Sequence, residues 1–512
     1  MTTTDPHVRP PAPDLVNRRQ LLRAAVAAAG AVAAGGAAFG VSRAVRGSSS
    51  AWLASSRVDT GADGAVRHFH SRPDLLPATT RVTGRSGAPG YLFVGPAAVG
   101  GSQSGPVIVD AGGDPVWFTP QSTGDWLTNF SVQRYRGAPV LTWWEGTVAN
   151  GYGSGEAVIA DTSYREIARV RAANGRRVDL HELLLTDAGT ALVTCAPQTV
   201  ATDLSSLGGS RSADTLESVL QEVDIATGRL VMEWRSLQHI GVEESYRQPS
   251  ATFDYLHANS IDVTPDGHLL LSARHTWAVY KLDRHSGAVI WRLGGKRSDF
   301  AMGPASQFAW QHDARLLDAR SLTVFDDGYD GVTRTHAQSR AVLLDVDSAA
   351  RRVSLRRAFV HPDPISASAM GSARRLSDGH IIVGWGSSPA VTEFTAAGRP
   401  VTDLYMAPTQ KSYRGFRQDW SGTPAEAPAV ATARSSATGA ATLFASWNGA
   451  TAATGWRVYG GARRSDLREL GVVTRRGFET AIELGTGEGY AAVAALDAHG
   501  RELRRSETIA VA

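Results

Sequence analysis

Residues 254–276 read Asp-Tyr-Leu-His-Ala-Asn-Ser-Ile-Asp-Val-Thr-Pro-Asp-Gly-His-Leu-Leu-Leu-Ser-Ala-Arg-His-Thr, the stretch of the chain richest in groups able to do chemistry. His257 and Asn259 lie two apart at a predicted strand entrance, so strand alternation sets their side chains on one face. Asp266-Gly267 then predicts a two-residue hairpin turn. The return strand carries Arg274 and His275 back to the edge where His257 began. Imidazole, amide and guanidinium groups all donate hydrogen bonds, so together they suit a compact oxyanion. Arg274 and His275 are adjacent, and a regular strand would turn only one of them toward His257. The plainer alternative is a hairpin with ordinary polar ends.

Fourteen histidines are candidates, and most are structural by position. His268 and His380 occupy matching places after an Asp-Gly turn, while His285 and His499 fall in turns. His181 (Asp179-Leu-His-Glu-Leu-Leu-Leu), His257 and His312 (Trp310-Gln-His-Asp-Ala-Arg-Leu-Leu) differ, because each stands at the start of an alternating apolar strand. That common register predicts a common location. His336 opens a weaker pattern of the same kind and fits a rim position or a supporting one equally.

The elements that would position these residues repeat. Asp110-Ala-Gly-Gly-Asp-Pro-Val-Trp117, Asp224 to Trp234 and Asp283 to Trp291 each pair an aspartate with a Gly turn and a tryptophan. Offset from them are hairpins beginning at Asp187, Asp266 and Asp378. Repeated antiparallel units of about 40–60 residues, with no long amphipathic helix among them, predict an all-β chain closing as a six-bladed β-propeller over 80–423. A β-sandwich array is the rival, and the recurring Gly-turn and Trp pattern argues against it. Pro424–Val430 reads as a linker, after residues 47–79 as a lead-in. Short alternating strands over 431–512, with Trp447, Trp456 and Tyr490 on separate strands, predict a fibronectin type III or immunoglobulin-like sandwich.

The formal charge of +3 comes from the leader. Residues 1–46 hold six Arg and two Asp, and without them 46 basic and 47 acidic side chains remain. No basic face for nucleic acid is left on the body. Asn17-Arg18-Arg19-Gln20-Leu21-Leu22-Arg23 precedes an uncharged Ala- and Gly-rich run to Ser42, a pattern similar to a twin-arginine export signal. The run is just long enough to span a bilayer, so a cleaved signal and a retained membrane anchor both fit. Cys195 is the sole cysteine and sits in an apolar strand pattern, which reads as buried filler. Asp326-Asp-Gly-Tyr-Asp-Gly331 has the look of a calcium loop but lacks the closing Glu. Gly294-Gly295-Lys296 lacks the upstream glycine of a phosphate loop, and no His/Cys spacing predicts zinc.

Taken in order, His257-Ala-Asn259-Ser-Ile-Asp, Ser272-Ala-Arg274-His275, Trp291-Arg-Leu-Gly-Gly, Gln311-His312, Leu322-Thr-Val-Phe-Asp-Asp-Gly328 and Ser412-Tyr-Arg-Gly-Phe-Arg closely resemble the arylsulfotransferase family. The resemblance runs over roughly 80–420 and implies a propeller that moves a sulfuryl group from an aryl sulfate to a phenol. It implies no cofactor and no nucleotide sulfate donor. By motif, His312 resembles the histidine that is transiently sulfated. Arg274, His257 and Asn259 resemble the residues holding the sulfuryl oxygens, with His181 a further histidine of the site and His275 a neighbour. Such a transfer spreads charge over three oxygens, which preorganised donors stabilise. A neutral imidazole can attack sulfur and leave again, while His257 or His181 protonates the departing phenolate. A C-terminal sandwich and a single cysteine are features of a divergent branch. The rival functions are a secreted, non-catalytic propeller binding a glycan or protein, and a quinone-dependent propeller oxidoreductase.

Overall fold

The computed structural model describes residues 56–512 apart from 62, 63, 99, 123, 436 and 437. The leader expected over 1–46 lies outside the described residues. Nearly every regular element is a β-strand, with only four short 3-10 turns among the described residues. The chain is all-β.

Five antiparallel units of four strands follow one another along the body. They begin with the strands Trp126–Tyr135, Val178–Leu185, Ala258–Val263, His312–Asp318 and Ser372–Arg375. A sixth is assembled from both ends, because Phe416–Gln418 pairs antiparallel with Tyr91–Val94, which continues through Val107–Val109 and Pro115–Phe118. A single bridge, Val178 with Gly155, links the first two of these units into one larger sheet.

Apolar alternation explains the stacking. Inner strands such as Leu269–Ala273 and Ser321–Asp326 bury side chains on both faces, and separate hydrophobic clusters fill the spaces between consecutive units. Trp144 and Val178 lie in one such cluster, Leu192 and Ile261 in the next, Leu270 and Leu322 in the one after, and Phe325 and Ile381 beyond it. Leu404 packs with Leu92 in a fifth, and Phe93 packs with Leu141 in a sixth. The packing therefore returns to its start. Trp234 caps one junction by donating its indole N–H to the Gly287 carbonyl at 3.0 Å.

The first strands of successive units are not regular. Pairing slips between Val178 and Leu183, between Ala258 and Ser260, and between His312 and Arg315. Such bulges bend a strand and re-aim its side chains. All three fall at the histidines singled out above.

Beneath them lies a buried charge network. The Glu182 carboxylate accepts from Arg414 Nη1 at 2.7 Å and Nη2 at 3.0 Å, and from Arg315 Nη2. Asp313 accepts from Arg374 Nε and Nη2, both at 2.8 Å, and from Arg315 Nη2 at 2.7 Å. These residues come from three different units and from the segment that leads into the closing strand, so the network ties the units together across the middle. Arg417 extends it outward, donating from Nε to Glu393 at 2.6 Å.

The C-terminal segment forms two further sheets. One holds Ala429–Arg434, Ala441–Ser446 and Glu479–Leu484; the other is built on Gly455–Gly461 and Tyr490–Leu496. Leu443, Trp456 and Val493 share the core between them. The strand Ala429–Arg434 takes up the last two residues expected in the 424–430 linker, because its backbone pairs with Ala441–Ser446.

Removing one carboxylate from this network leaves guanidinium groups buried without a partner. Glu182→Ala is expected to cost about 3–5 kcal/mol in denaturant unfolding. Burial raises the Glu182 carboxyl, but Arg315 and Arg414 outweigh it and hold the group down from 4.5 to about 2. A carboxyl depressed in the folded state contributes in full above its unfolded value and loses that contribution as pH falls through the folded one. The parent's unfolding free energy should therefore drop between about pH 4.5 and 2, and the drop should shrink in Glu182→Ala.

Candidate active site

Three histidines are oriented in the same way. His181 donates Nδ1–H to Asp179 Oδ2 at 2.5 Å, His257 to Asp254 Oδ2 at 2.7 Å, and His312 to Asp327 Oδ2 at 2.7 Å. Each Nε2 is thereby left to face the interior. All three rings are at least nine-tenths buried.

Geometry fixes the tautomer of His312. The Met370 backbone N–H points at His312 Nε2 from 3.2 Å, and a backbone N–H can only donate. Nε2 is therefore the lone-pair nitrogen and Nδ1 carries the proton. Burial, with the Arg274 charge next in weight, holds His312 well below the usual histidine range. The imidazole is neutral at physiological pH. Burial also pushes the Asp327 carboxyl up while Arg274 pulls it back, and the donated Nδ1–H marks Oδ2 as an acceptor.

Arg274 is anchored by two carbonyls. Its Nη1 donates to Trp310 O at 3.2 Å and its Nη2 to Ser368 O at 2.9 Å. Trp310 is two residues before His312, and Ser368 two before Met370, so the guanidinium is bound to both segments that frame Nε2. The remaining donors of its five N–H groups can serve an anion.

His257 enters through strained backbone, with φ at 56°. Two backbone bonds extend the hairpin past its last strand residues, Arg274 N–H to His257 O at 2.9 Å and His275 N–H to Leu256 O at 3.0 Å. His275 donates Nδ1–H to the Asp254 carbonyl at 2.7 Å, and its ring lies 4.9 Å from that of His257. Because strand Leu269–Ala273 ends before both residues, Arg274 and His275 each stay at the site rather than diverging. Only His275 sets its side chain against His257, as expected, while the Arg274 guanidinium turns to Trp310 and Ser368.

The strand alternation from which a shared face of His257 and Asn259 was expected does not hold here. His257 precedes the strand in left-handed backbone, and Asn259 is the extra residue of the bulge. Its Nδ2 donates to Gln311 O at 2.7 Å, directly before His312, and its Oδ1 has no protein partner. Tyr413, whose ring lies 5.9 Å from His181, approaches the Asn259 carbonyl through its hydroxyl at 3.4 Å. His181, His257, Asn259, Arg274, His275 and His312 thus form one cluster. His336 does not join it; its Nε2 lies 3.1 Å from Asp326.

Some of the groups that matter were absent from the sequence reading. Asp179, Asp254 and Asp327 orient the rings, and Tyr152 donates its hydroxyl to Asp254 Oδ1 at 2.7 Å. Asp179 two before His181 and Asp254 three before His257 were visible signals. Asp327 lay inside the run with a calcium-loop look, where Asp326 instead takes Arg340 Nε at 2.8 Å and the Ala309 N–H at 3.0 Å. Asp254, His257 and His275 have ligand atoms within 4.8 Å of one another, but an ion among them would displace the two Nδ1–H bonds to Asp254. Cys195 is buried, and burial pushes its thiol up to about 12, which suits filler and not a nucleophile. A cavity of about 530 Å³ opens on the far side of the charge network, lined by Gln133, Arg374 and Arg414 among others, and none of the site histidines borders it.

Orienting carboxylates, the neutral His312 imidazole, two further aspartate-bound histidines and a fixed guanidinium are thus buried together. The sequence profile described as arylsulfotransferase (ASST) matches residues 131–406, a little over half of the chain, and the chain belongs to that family. No curated protein matches it. Among solved structures it is similar to a protein of unknown function from Bacteroides caccae, at 14% identity over 65% of this chain and 100% of that one, with a TM-score of 0.39. It is also similar to a streptogramin B lyase, at 9% identity over 71% and 94%, TM-score 0.33. A virginiamycin B lyase from Staphylococcus aureus aligns at 10% identity over 63% and 87%, TM-score 0.31. Likenesses of that size carry no argument about this chain.

Asp327→Asn tests the tautomer. An amide can donate to Nδ1 and force the proton onto Nε2, so sulfuryl transfer is expected to fall by roughly 10²–10⁴-fold with the circular dichroism spectrum unchanged.

Proposed function

We propose that the protein is an exported arylsulfotransferase that moves a sulfuryl group from an aryl sulfate to a phenol through a sulfohistidine on His312, without a nucleotide donor. The observation that carries this reading is the buried, neutral His312, with Nδ1 on Asp327, its Nε2 lone pair facing the Met370 N–H, and the Arg274 charge acting on the ring. In the first displacement Nε2 attacks sulfur, the N–S bond forms and the S–O bond to the aryl group breaks, the electron pair leaving on the phenolate oxygen. In the second, the acceptor oxygen attacks the same sulfur, the N–S bond breaks and its pair returns to Nε2. Two in-line steps on one nitrogen let donor and acceptor occupy the same space in turn. Arg274 and the second N–H of Asn259 Nδ2 hold the equatorial oxygens, where charge accumulates.

Six antiparallel units, each packed on the next with the last on the first, support a six-bladed propeller as the scaffold. The paired C-terminal sheets around Trp456 support a fibronectin type III-like module. The twin-arginine pattern at Arg18-Arg19 supports export. No helix among the described residues is long and apolar enough to cross a membrane, so attachment, if retained, falls to the leader. The burial and convergence of the cluster weigh against a purely binding role.

The test uses purified protein with 4-nitrophenyl sulfate and phenol. Phenyl sulfate should form as 4-nitrophenolate is released, and mass analysis after donor alone should find one sulfuryl group on the peptide bearing His312. His312→Ala should lose both the adduct and at least roughly 10³-fold of transfer. A His312→Ala protein that turns over like the parent defeats the assignment.

A further inference from the structure

His181 and His257 meet nitrogen to nitrogen, with their Nε2 atoms 3.2 Å apart. Neither ring can relieve this by a change of tautomer. Asp179 accepts three N–H groups, from Gly153 at 2.6 Å, from the His181 backbone at 3.2 Å and from His181 Nδ1 at 2.5 Å. Asp254 accepts the Tyr152 hydroxyl at 2.7 Å on Oδ1 and His257 Nδ1 at 2.7 Å on Oδ2. Acceptors used in this way are ionised carboxylates, so both Nδ1 atoms carry hydrogen and both Nε2 atoms present lone pairs. Two lone pairs at hydrogen-bond distance in a buried site repel each other unless a cation lies between them.

We infer that His181 and His257 hold one proton in common between their Nε2 atoms, and that this proton passes to the departing phenolate and is restored by the incoming phenol. The role in transfer rests on the function proposed above; the shared proton rests on geometry alone. The pair takes one proton and not two. Burial, with the like charges of His181 and His275 behind it, pushes His257 down to about 4 despite the Asp254 carboxylate. Arg414, which donates Nη2 to the His181 carbonyl at 3.2 Å, brings a further positive charge to the pair's other side. Asp179 and Asp254, each held low by the histidine it orients although burial would raise it, supply the balance for the first.

The proton count closes over the cycle. As the aryl S–O bond breaks, the phenolate oxygen forms its O–H bond with the shared proton, and the N–H bond of the pair breaks. The sulfated enzyme then holds two facing lone pairs, a strong acceptor for the hydroxyl proton of the second phenol as its oxygen attacks sulfur. Asp179 and Asp254 are positioning residues that keep the two nitrogens aimed at each other.

Two measurements test this on the full chain. In protein labelled with ¹⁵N-histidine, the Nε2 signals of His181 and His257 should move together in a single ionisation, and His181→Asn should leave His257 neutral near pH 7. Independent titrations, two neutral rings near pH 7 in the parent, or a stoichiometric divalent ion that is lost in His257→Asn would overturn the shared proton. In kinetics, His181→Asn and His257→Asn should each lose roughly 10²-fold or more with phenyl sulfate, and much less with 4-nitrophenyl sulfate, whose phenolate leaves without a proton. Equal losses on the two donors would overturn the transfer role. A parent that shows the single ionisation but transfers no sulfuryl group upholds the shared proton and defeats only the proposed function.

Discussion

Glu182 and Asp313 are carboxylates with almost no contact with water, and much of the centre of the molecule follows from having to keep them ionised. Desolvating a carboxylate costs several kcal/mol, recovered only through close, well-directed cations. Arg315, Arg374 and Arg414 meet that requirement from separate parts of the chain. Each carboxylate follows a site histidine directly, Glu182 after His181 and Asp313 after His312. Fixing the carboxylates therefore fixes the backbone that carries the imidazoles. Stability and site geometry come from the same contacts here, and a change in one is a change in the other.

Above that layer burial keeps His312 neutral and pushes His257 down, and the orienting aspartates work against disorder. The cost appears in the backbone. His257, Trp310, Asp313 and Met370 all adopt positive φ without being glycine. Such conformations cost on the order of 1–3 kcal/mol each and persist where surrounding structure over-determines them. Trp310 supplies a carbonyl to Arg274 and Met370 an N–H to His312, so the strained residues are the ones whose backbone polar groups aim the reactive side chains. True glycines serve nearby packing: a Cβ at Gly294 would stand 2.7 Å from the Trp277 carbonyl, and one at Gly295 would stand 2.5 Å from that of Thr276. The Gly-Gly pair of the sequence motif lets that loop lie against the neighbouring strand.

Local patterns in the sequence were legible because their causes are local. Alternation and the Asp-Gly turns mark the hairpins around 266–267 and 378–379, and the spacing of apolar runs marks an all-β chain; the turn at Asp266-Gly267 nevertheless holds three residues, not the two expected, because Thr264 N–H closes on the His268 carbonyl. The common register expected of His181, His257 and His312 is not kept: His181 is the fourth residue of Val178–Leu185, His257 precedes Ala258–Val263 and His312 opens its strand, because the bulges shift each differently. What escaped was set by contacts between distant segments. The bulges at all three histidines arise where strands must turn inward against neighbours, and no propensity of residues 179–182 or 313–314 announces them. Alternation therefore does not govern Asn259, whose side chain is fixed by the Gln311 carbonyl. The tie of Arg414 to Glu182 spans 232 positions, beyond the reach of any spacing argument.

The aspartates that orient the rings divide by how they reach them. Asp179 and Asp254 come from just before their own histidines, so those two rings are set by single short segments. Asp327 reaches His312 from beyond the partner strand Ser321–Asp326, and Asp326 beside it is clamped by Arg340 and the Ala309 N–H. His312 is thus held from two strands and, through Met370, from a third segment. A ring that only relays a proton needs its nitrogen aimed, and local anchoring is enough. A ring that takes on a bulky anionic group and gives it up again must keep its direction while its own charge changes. The Met370 contact uses the lone pair that such a group would occupy, so the bond from Nδ1 to Asp327 is the anchor that would persist.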